Sequence, residues 1–261
     1  VRFMKLRVIL LAIVGLALLV GCQPHSIPTP TAASPTRSAF SPTHTPTAVW
    51  FPPTATPTPL PTPFFTPTPN LAAGKGALLW QAGFADSANW WSPTPAFGSF
   101  GLSDGVLSLT GTRARSALLV LSRREAGYNF YLEAKARPMV CRDEDAYGVA
   151  FRASAGARSY YIFGVKCNGY AFVEKVTGQL AVPQADEQPA PLAPGSLVTA
   201  VFSVRAAKQK IYLAVNGQAL FTLRDDGAPY GRDGVGFFVR PETDDGASAV
   251  FTSLAVYALQ P

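Results

Sequence analysis

From Val106 onward, short runs of alternating apolar and polar residues follow one another, and no stretch carries a helical period. "VLSLTG", "YNFYLEAKARP", "AYGVAFRA", "SYYIFGVK", "GYAFVEKV", "LVTAVFSVR", "KIYLAV", "QALFTL", "GVGFFVR" and "AVFTSLAVYAL" are bounded by Gly, Pro, Asn and Asp. Strand side chains point alternately to opposite faces, so such runs describe strands with one buried face. Their regular spacing predicts an all-β, two-sheet antiparallel sandwich. In "YNFYLEAKARP" the alternation puts Phe130, Leu132, Ala134 and Ala136 on one face, and Tyr131, Glu133, Lys135 and Arg137 on the other. Asn216-Gly217, between two runs, is a two-residue hairpin signal because both residues accept positive φ.

The tract from Gln23 to Asn70 cannot join the core. Fourteen of the 24 prolines lie between Gln23 and Asn70, as in "TATPTPLPTPFFTPTPN". Proline fixes φ and removes a hydrogen-bond donor, so neither helix nor interior strand forms there. The expected state is a disordered, polyproline-II-rich linker with a reach on the order of 150 Å. Ahead of it, "VRFMKLR" is basic and "VILLAIVGLALLV" is a thirteen-residue apolar run. That run is too short for a spanning helix, which needs about 20 residues, and suits the apolar region of a secretory signal. Leu19-Val20-Gly21-Cys22 resembles the bacterial lipobox, which implies cleavage before Cys22 and acylation (diacylglyceryl, palmitate) of its thiol. The expected organisation is a lipoprotein signal peptide over 1–21, lipidated Cys22 and linker over 22–75, and a folded domain over 76–261. The expected location is extracytoplasmic, on a membrane by its lipid anchor.

Charge and rare residues narrow the function. The formal charge is +6, and loss of Arg2, Lys5 and Arg7 with the signal brings it near +3. From Leu71 onward the balance is nearly even, so no basic footprint for nucleic acid is present. Both histidines, His25 and His44, lie in the linker. The folded part therefore has no Ser-His-Asp or Cys-His triad and no histidine-ligated zinc. Its two cysteines, Cys141 and Cys167, bracket a hairpin, and in an exported domain they favour a disulfide over two buried thiols.

A succession of short motifs carries a resemblance: "GFADSANW" (Phe84, Asp86, Trp90), "SDGVLSL", "YGVAFR", "YYIFGVKCNG", "VNGQALF" and "DGVGFFV". In that order they resemble the concanavalin A-like, laminin G-like jelly-roll superfamily, and within it bacterial envelope domains related to the 3-keto-disaccharide hydrolase domain. The resemblance implies two curved, packed antiparallel sheets, with glycan or protein ligands on the concave face. It also matches Arg152 to an arginine common in those domains.

Catalytic signals are few. Glycosidases need two carboxyl groups across the scissile bond, and the E-x-D-x-x-E string of jelly-roll laminarinases is not found. Glu133 and Glu174 are strand carboxylates with lysines nearby, a pattern of cross-strand ion pairing. "DEDAYG" begins like a calcium loop, but Tyr147 and Ser154 occupy ligand positions. No metal or other cofactor is expected, and calcium on Asp225, Asp226, Asp244 or Asp245 is the weak alternative. The candidate ligand-binding residues are Tyr131, Glu133, Lys135, Arg152, Tyr160 and Tyr212, which mix aromatic rings with charge. The resulting expectation is a surface-anchored lipoprotein displaying a non-catalytic glycan-binding module. The alternatives are a hydrolase or lyase acting on 3-keto-glycosides, and a scaffold that binds an envelope protein.

Overall fold

The computed structural model describes residues 70–227 and 234–260. Cys22, the signal segment, His25, His44 and the linker before Asn70 lie outside the described residues. In chain order the strands are β1 (Lys75–Gln81), β2 (Trp90–Trp91), β3 (Gly98–Ser103), β4 (Val106–Gly111), β5 (Leu118–Glu125) and β6 (Phe130–Val140). Next come β7 (Ala146–Ala153), β8 (Ser159–Lys166), β9 (Tyr170–Thr177), β10 (Leu180–Pro183) and β11 (Gln188–Pro189). The last are β12 (Ala200–Ala207), β13 (Lys210–Val215), β14 (Gln218–Arg224), β15 (Gly234–Arg240) and β16 (Ala247–Leu259). Three short 3₁₀ turns are the helical elements among the described residues.

The strands form two antiparallel sheets. Sheet A runs β14-β13-β12-β6-β16-β4-β3, with β1 added alongside β16. Sheet B runs β10-β9-β8-β7-β15-β5-β2, with β11 beside β9. Their inner faces make one core, to which sheet A brings Phe130, Leu132, Phe202 and Phe251, and sheet B brings Val149, Phe151, Phe163 and Phe237. The alternation read in β6 holds: Phe130, Leu132, Ala134 and Ala136 are fully buried in this core. Asn216 (φ 48°) and Gly217 (φ 79°) make the β13–β14 hairpin turn, as their residue types predict. Cys141 and Cys167 are disulfide-bonded, with Cα atoms 5.6 Å apart.

Two departures from strict alternation shape the molecule. In β16 the inward residues are Ala247, Ala249 and Phe251, then Leu254 and Val256, because the register with β6 shifts between Phe251 and Ser253. A bulge of this kind inserts one residue and reverses the facing of everything after it. In β7 a similar shift lies opposite Gly234–Gly236, and Arg152 within it has φ 49°. Its side chain therefore does not point outward with Ala150 but turns into the end of the sandwich.

Candidate functional site

The outer face of sheet A is partly occupied by the arriving chain. Leu71 packs against Tyr131 and Ala214, and the Lys75 ammonium sits 3.9 Å from the centre of the Tyr257 ring and 4.9 Å from that of Tyr131. Lys75 also pairs with Glu133 at 3.5 Å, and the Arg205 Nε–H donates to the carbonyl of Ala73 while its guanidinium covers Tyr212. Tyr131 is consequently 5% exposed. Of the sequence candidates, Tyr131, Glu133, Lys135 and Tyr212 share this face, and only Lys135 is freely exposed on it. Glu133 does form the expected ion pair, but with Lys75 rather than Lys135.

Arg152 belongs to neither outer face. Its expected role as a ligand-binding residue is corrected by the structure: the residue is 1% exposed. Its Nη1–H donates to Asp225 at 2.8 Å, its Nη2–H donates to the carbonyl of Lys208, and its guanidinium lies over the Tyr128 ring. Asp225 is also held by Lys175 at 3.0 Å. Burial acts to raise the Asp225 pKa, but hydrogen bonds from Lys175, Tyr161 and Arg152 outweigh it and hold the carboxyl below its ordinary range. Tyr161 is pushed up to about 12, by burial and by its hydrogen bond to Asp225. This cluster ties β7 and β9 of sheet B to the β12–β13 turn and the end of β14 in sheet A.

Tyr160 leads to a different place, the outer face of sheet B. In the middle of this face Phe172, Gly164, Gly148 and Phe238 lie in one row across β9, β8, β7 and β15. The glycines leave room for the Phe172 and Phe238 rings to meet edge to face above them, with centroids 6.1 Å apart. A Cβ at Gly164 would stand 2.5 Å from the Phe238 ring tip and 2.7 Å from the Tyr147 carbonyl oxygen. Arg240 then reaches across β7 and β8. Its guanidinium lies 4.6 Å from the Phe172 ring centre, and both Nη groups donate to Glu174, at 2.7 and 3.3 Å.

Beside this row, on the same face, is a cleft of about 570 Å³, lined among others by Tyr160, Ile162, Glu174, Arg240, Phe97, Arg113 and Arg115. One wall is the β4–β5 loop, and local hydrogen bonds hold it rigid. The Ala114 N–H donates to Asp244 and the Arg115 N–H to the carbonyl of Pro241. The Thr94 hydroxyl donates to the carbonyl of Ala117 and accepts from the Leu119 N–H. Arg115 pairs with Glu242 at 2.7 Å. Arg113 is exposed and stacks on Phe97, with its guanidinium carbon 5.1 Å from the ring centre. A smaller recess of about 150 Å³ adjoins, lined by Arg115, Glu144, Lys166, Arg240 and Glu242. There Lys166 pairs with Glu144 and Glu187, each at 2.5 Å, and the disulfide at Cys167 is the next residue along. Tyr160 is raised above its ordinary pKa by burial and by the Glu174 charge, against a smaller opposing effect of Arg240.

The loop carboxylates have local roles. Both Asp145 oxygens accept backbone N–H groups, from Arg142 and Glu242, while Asp244 takes Ala114 and Asp226 takes Arg224. No cluster of three or more metal-ligating side chains occurs among the described residues. Sequence reasoning missed Arg113, Arg115, Arg240 and Phe97 as a group. Arg113 and Arg115 in "TRARS" are a readable basic loop, but nothing in sequence brings them to Arg240, more than a hundred residues away.

The sandwich is a jelly roll of the concanavalin A-like type, and solved structures share it. A carbohydrate binding module, CBM66, from Bacillus subtilis aligns with TM-score 0.52 and 15% identity over 65% of this chain and 96% of its own. A Bacillus subtilis protein of unknown function with a galectin-like fold gives 0.53 and 14%, over 72% and 99%. The catalytic domain of an endo-1,3-beta-glucanase from Thermotoga petrophila gives 0.52 and 12%, over 71% and 98%. At these identities the likeness establishes the fold. No protein-family model matches the chain, and no curated protein matches it.

Proposed function

We propose that this chain is a surface-anchored lipoprotein whose jelly-roll domain binds glycans, without catalysis, in the cleft on the outer face of sheet B. The observation that carries the reading is the built character of that cleft: Arg240 held by Glu174 and by the neighbouring Phe172 ring, and a rim loop pinned on both sides. Preorganised polar groups of this kind give a binding site its precision. Glycan-acting and glycan-binding neighbours of the same fold point the same way. Glu174 is the one carboxylate among the lining residues of the larger cleft, and Arg240 engages both its oxygens. That arrangement suits ligand recognition better than the acid and base pair of glycoside hydrolysis. The alternative of a 3-keto-glycoside enzyme rests on the superfamily resemblance and on Arg152, whose side chain is wholly enclosed. The anchor reading rests on the signal-like run and Cys22. In the folded part, the chain enters on sheet A, opposite the cleft, so the incoming segment leaves the cleft open.

The full chain applied to a glycan array should retain a subset of glycans. Ala181→Trp, on the exposed edge of the cleft, should abolish that retention without changing the melting temperature. Retention indifferent to Ala181→Trp, or no retention at all, would overturn the glycan reading. Detergent partitioning of wild type against Cys22→Ala tests the anchor, and equal partitioning into the aqueous phase would refute it.

A further inference from the structure

We infer that the cleft selects acidic sugars, its guanidinium groups seating a carboxylate or sulfate on the ligand; this rests on the glycan-binding reading and narrows it. Neutral sugars are held largely by stacking on open aromatic faces, with hydrogen bonds completing the site. The aromatic rings of this cleft are not open. Of the two that line it, Phe97 lies under Arg113 and Tyr160 is 8% exposed, and beside it Arg240 covers Phe172. A ligand entering the cleft therefore meets guanidinium groups before it meets rings.

The charge inventory agrees. Arg113, Arg115 and Arg240 line the larger cleft, where Glu174 pairs with Arg240 and Glu242, from the adjoining recess, pairs with Arg115, and Arg113 has no carboxylate partner among the described residues. A guanidinium carries five N–H donors, and Glu174 occupies two of those on Arg240. The rest have no acceptor among the described residues, while Phe172 beneath and Glu174 beside fix the plane of the group. With both Nη groups on Glu174, Arg240 keeps its Nε–H and the second N–H of each Nη, and the Nε–H with its adjacent Nη–H makes a second fork that matches carboxylate and sulfate oxygens. Glu174 then acts as a positioning residue that keeps the guanidinium in the cleft.

The test is binding of the full chain, by calorimetry, to a neutral β-glucan oligosaccharide, the same oligosaccharide carrying sulfate esters, and an oligogalacturonide. At least one acidic ligand should bind roughly tenfold or more tightly than the neutral one, consistent with one charge-assisted contact. Its affinity should fall several-fold as salt is raised from about 20 to about 300 mM. Arg240→Lys keeps the charge but loses the fork and should cost about tenfold. Arg113→Gln, on an exposed side chain stacked on Phe97, should weaken acidic ligands more than neutral ones. Arg137→Gln, exposed on the other sheet, should change nothing. Preference for sulfate alone, or for uronate alone, supports the inference and identifies the acid group. Equal or tighter binding of the neutral oligosaccharide overturns the inference and leaves the glycan reading standing. Acidic binding indifferent to both Arg113→Gln and Arg240→Lys also overturns it, and absence of all binding sinks both readings.

Discussion

Arg152 offers the sharpest separation of structural from chemical roles. Replacing it with Met removes the 2.8 Å ion pair to Asp225, the hydrogen bond to the Lys208 carbonyl and the contact with Tyr128. Breaking a buried pair by removing one partner costs about 3–5 kcal/mol, because the other charge stays buried. Lys175 still holds Asp225, so the lower end, about 3 kcal/mol, applies to Arg152→Met. Asp225→Asn leaves two cations against a neutral amide and should reach the upper end, about 5 kcal/mol. The double substitution should cost less than the two singles together, since both remove the same contact. With a urea slope of about 2 kcal/mol per molar, the Arg152→Met midpoint should fall by roughly 1.5 M. The pH dependence has a definite sign. A carboxyl whose folded pKa is depressed contributes stability above its unfolded pKa and loses it as pH falls through the folded value. The gap between wild type and Asp225→Asn should therefore be full near neutral pH and close as the solution is acidified below about pH 4. Urea titrations of the three variants at neutral and acid pH provide the measurement. A Cm for Arg152→Met within error of wild type, or strictly additive losses, would refute the buried-pair argument. Loss of any activity on substituting Arg152 would, by the same argument, report unfolding rather than catalysis.

Further outcomes follow from other parts of the sandwich. Replacing Cys141 and Cys167 together with Ala opens a cross-link of sequence separation 26, and the chain-entropy relation puts the loss at about 3.5 kcal/mol, read by denaturant titration with and without reductant. Gly164→Ala should cost about 1–3 kcal/mol by overpacking, because the new methyl meets the Tyr147 carbonyl as well as the movable Phe238 ring. Thermal melting checks it, with weakened glycan retention as a second readout. A chain begun at Gly76 loses the Leu71 and Lys75 contacts over Tyr131 and Tyr257, and should melt several degrees below one begun at Asn70.

The sequence by itself determined the class of fold, the β13–β14 turn and the pairing of the cysteines, because each has a local or compositional cause. Alternation of period two gives half-buried strands, Asn-Gly accepts positive φ, and two cysteines flanking one hairpin are brought together when it closes. Strand β5 escaped this reading: Leu118, Leu119, Val120 and Leu121 are all buried, so the segment has two covered faces and no alternation to detect. Its outer side is covered because Leu119 and Leu121 join an apolar cluster on the outer face of sheet B with Phe172, Phe238 and Trp91, which sequence did not reveal either. Tyr131 and Tyr160 are both candidate ligand-binding residues in the sequence, yet they stand on opposite sides of the sandwich, Tyr131 beneath the incoming chain and Tyr160 in the lining of the cleft. Only tertiary structure decided the fate of Arg152, since a single bulge with one positive φ turns an outward residue inward. The cleft itself is likewise a product of packing. Arg240 on β15 reaches Glu174 on β9 over the Phe172 ring, which with Phe238 occupies the room left by Gly148 and Gly164, and that row exists only once the strands are in register.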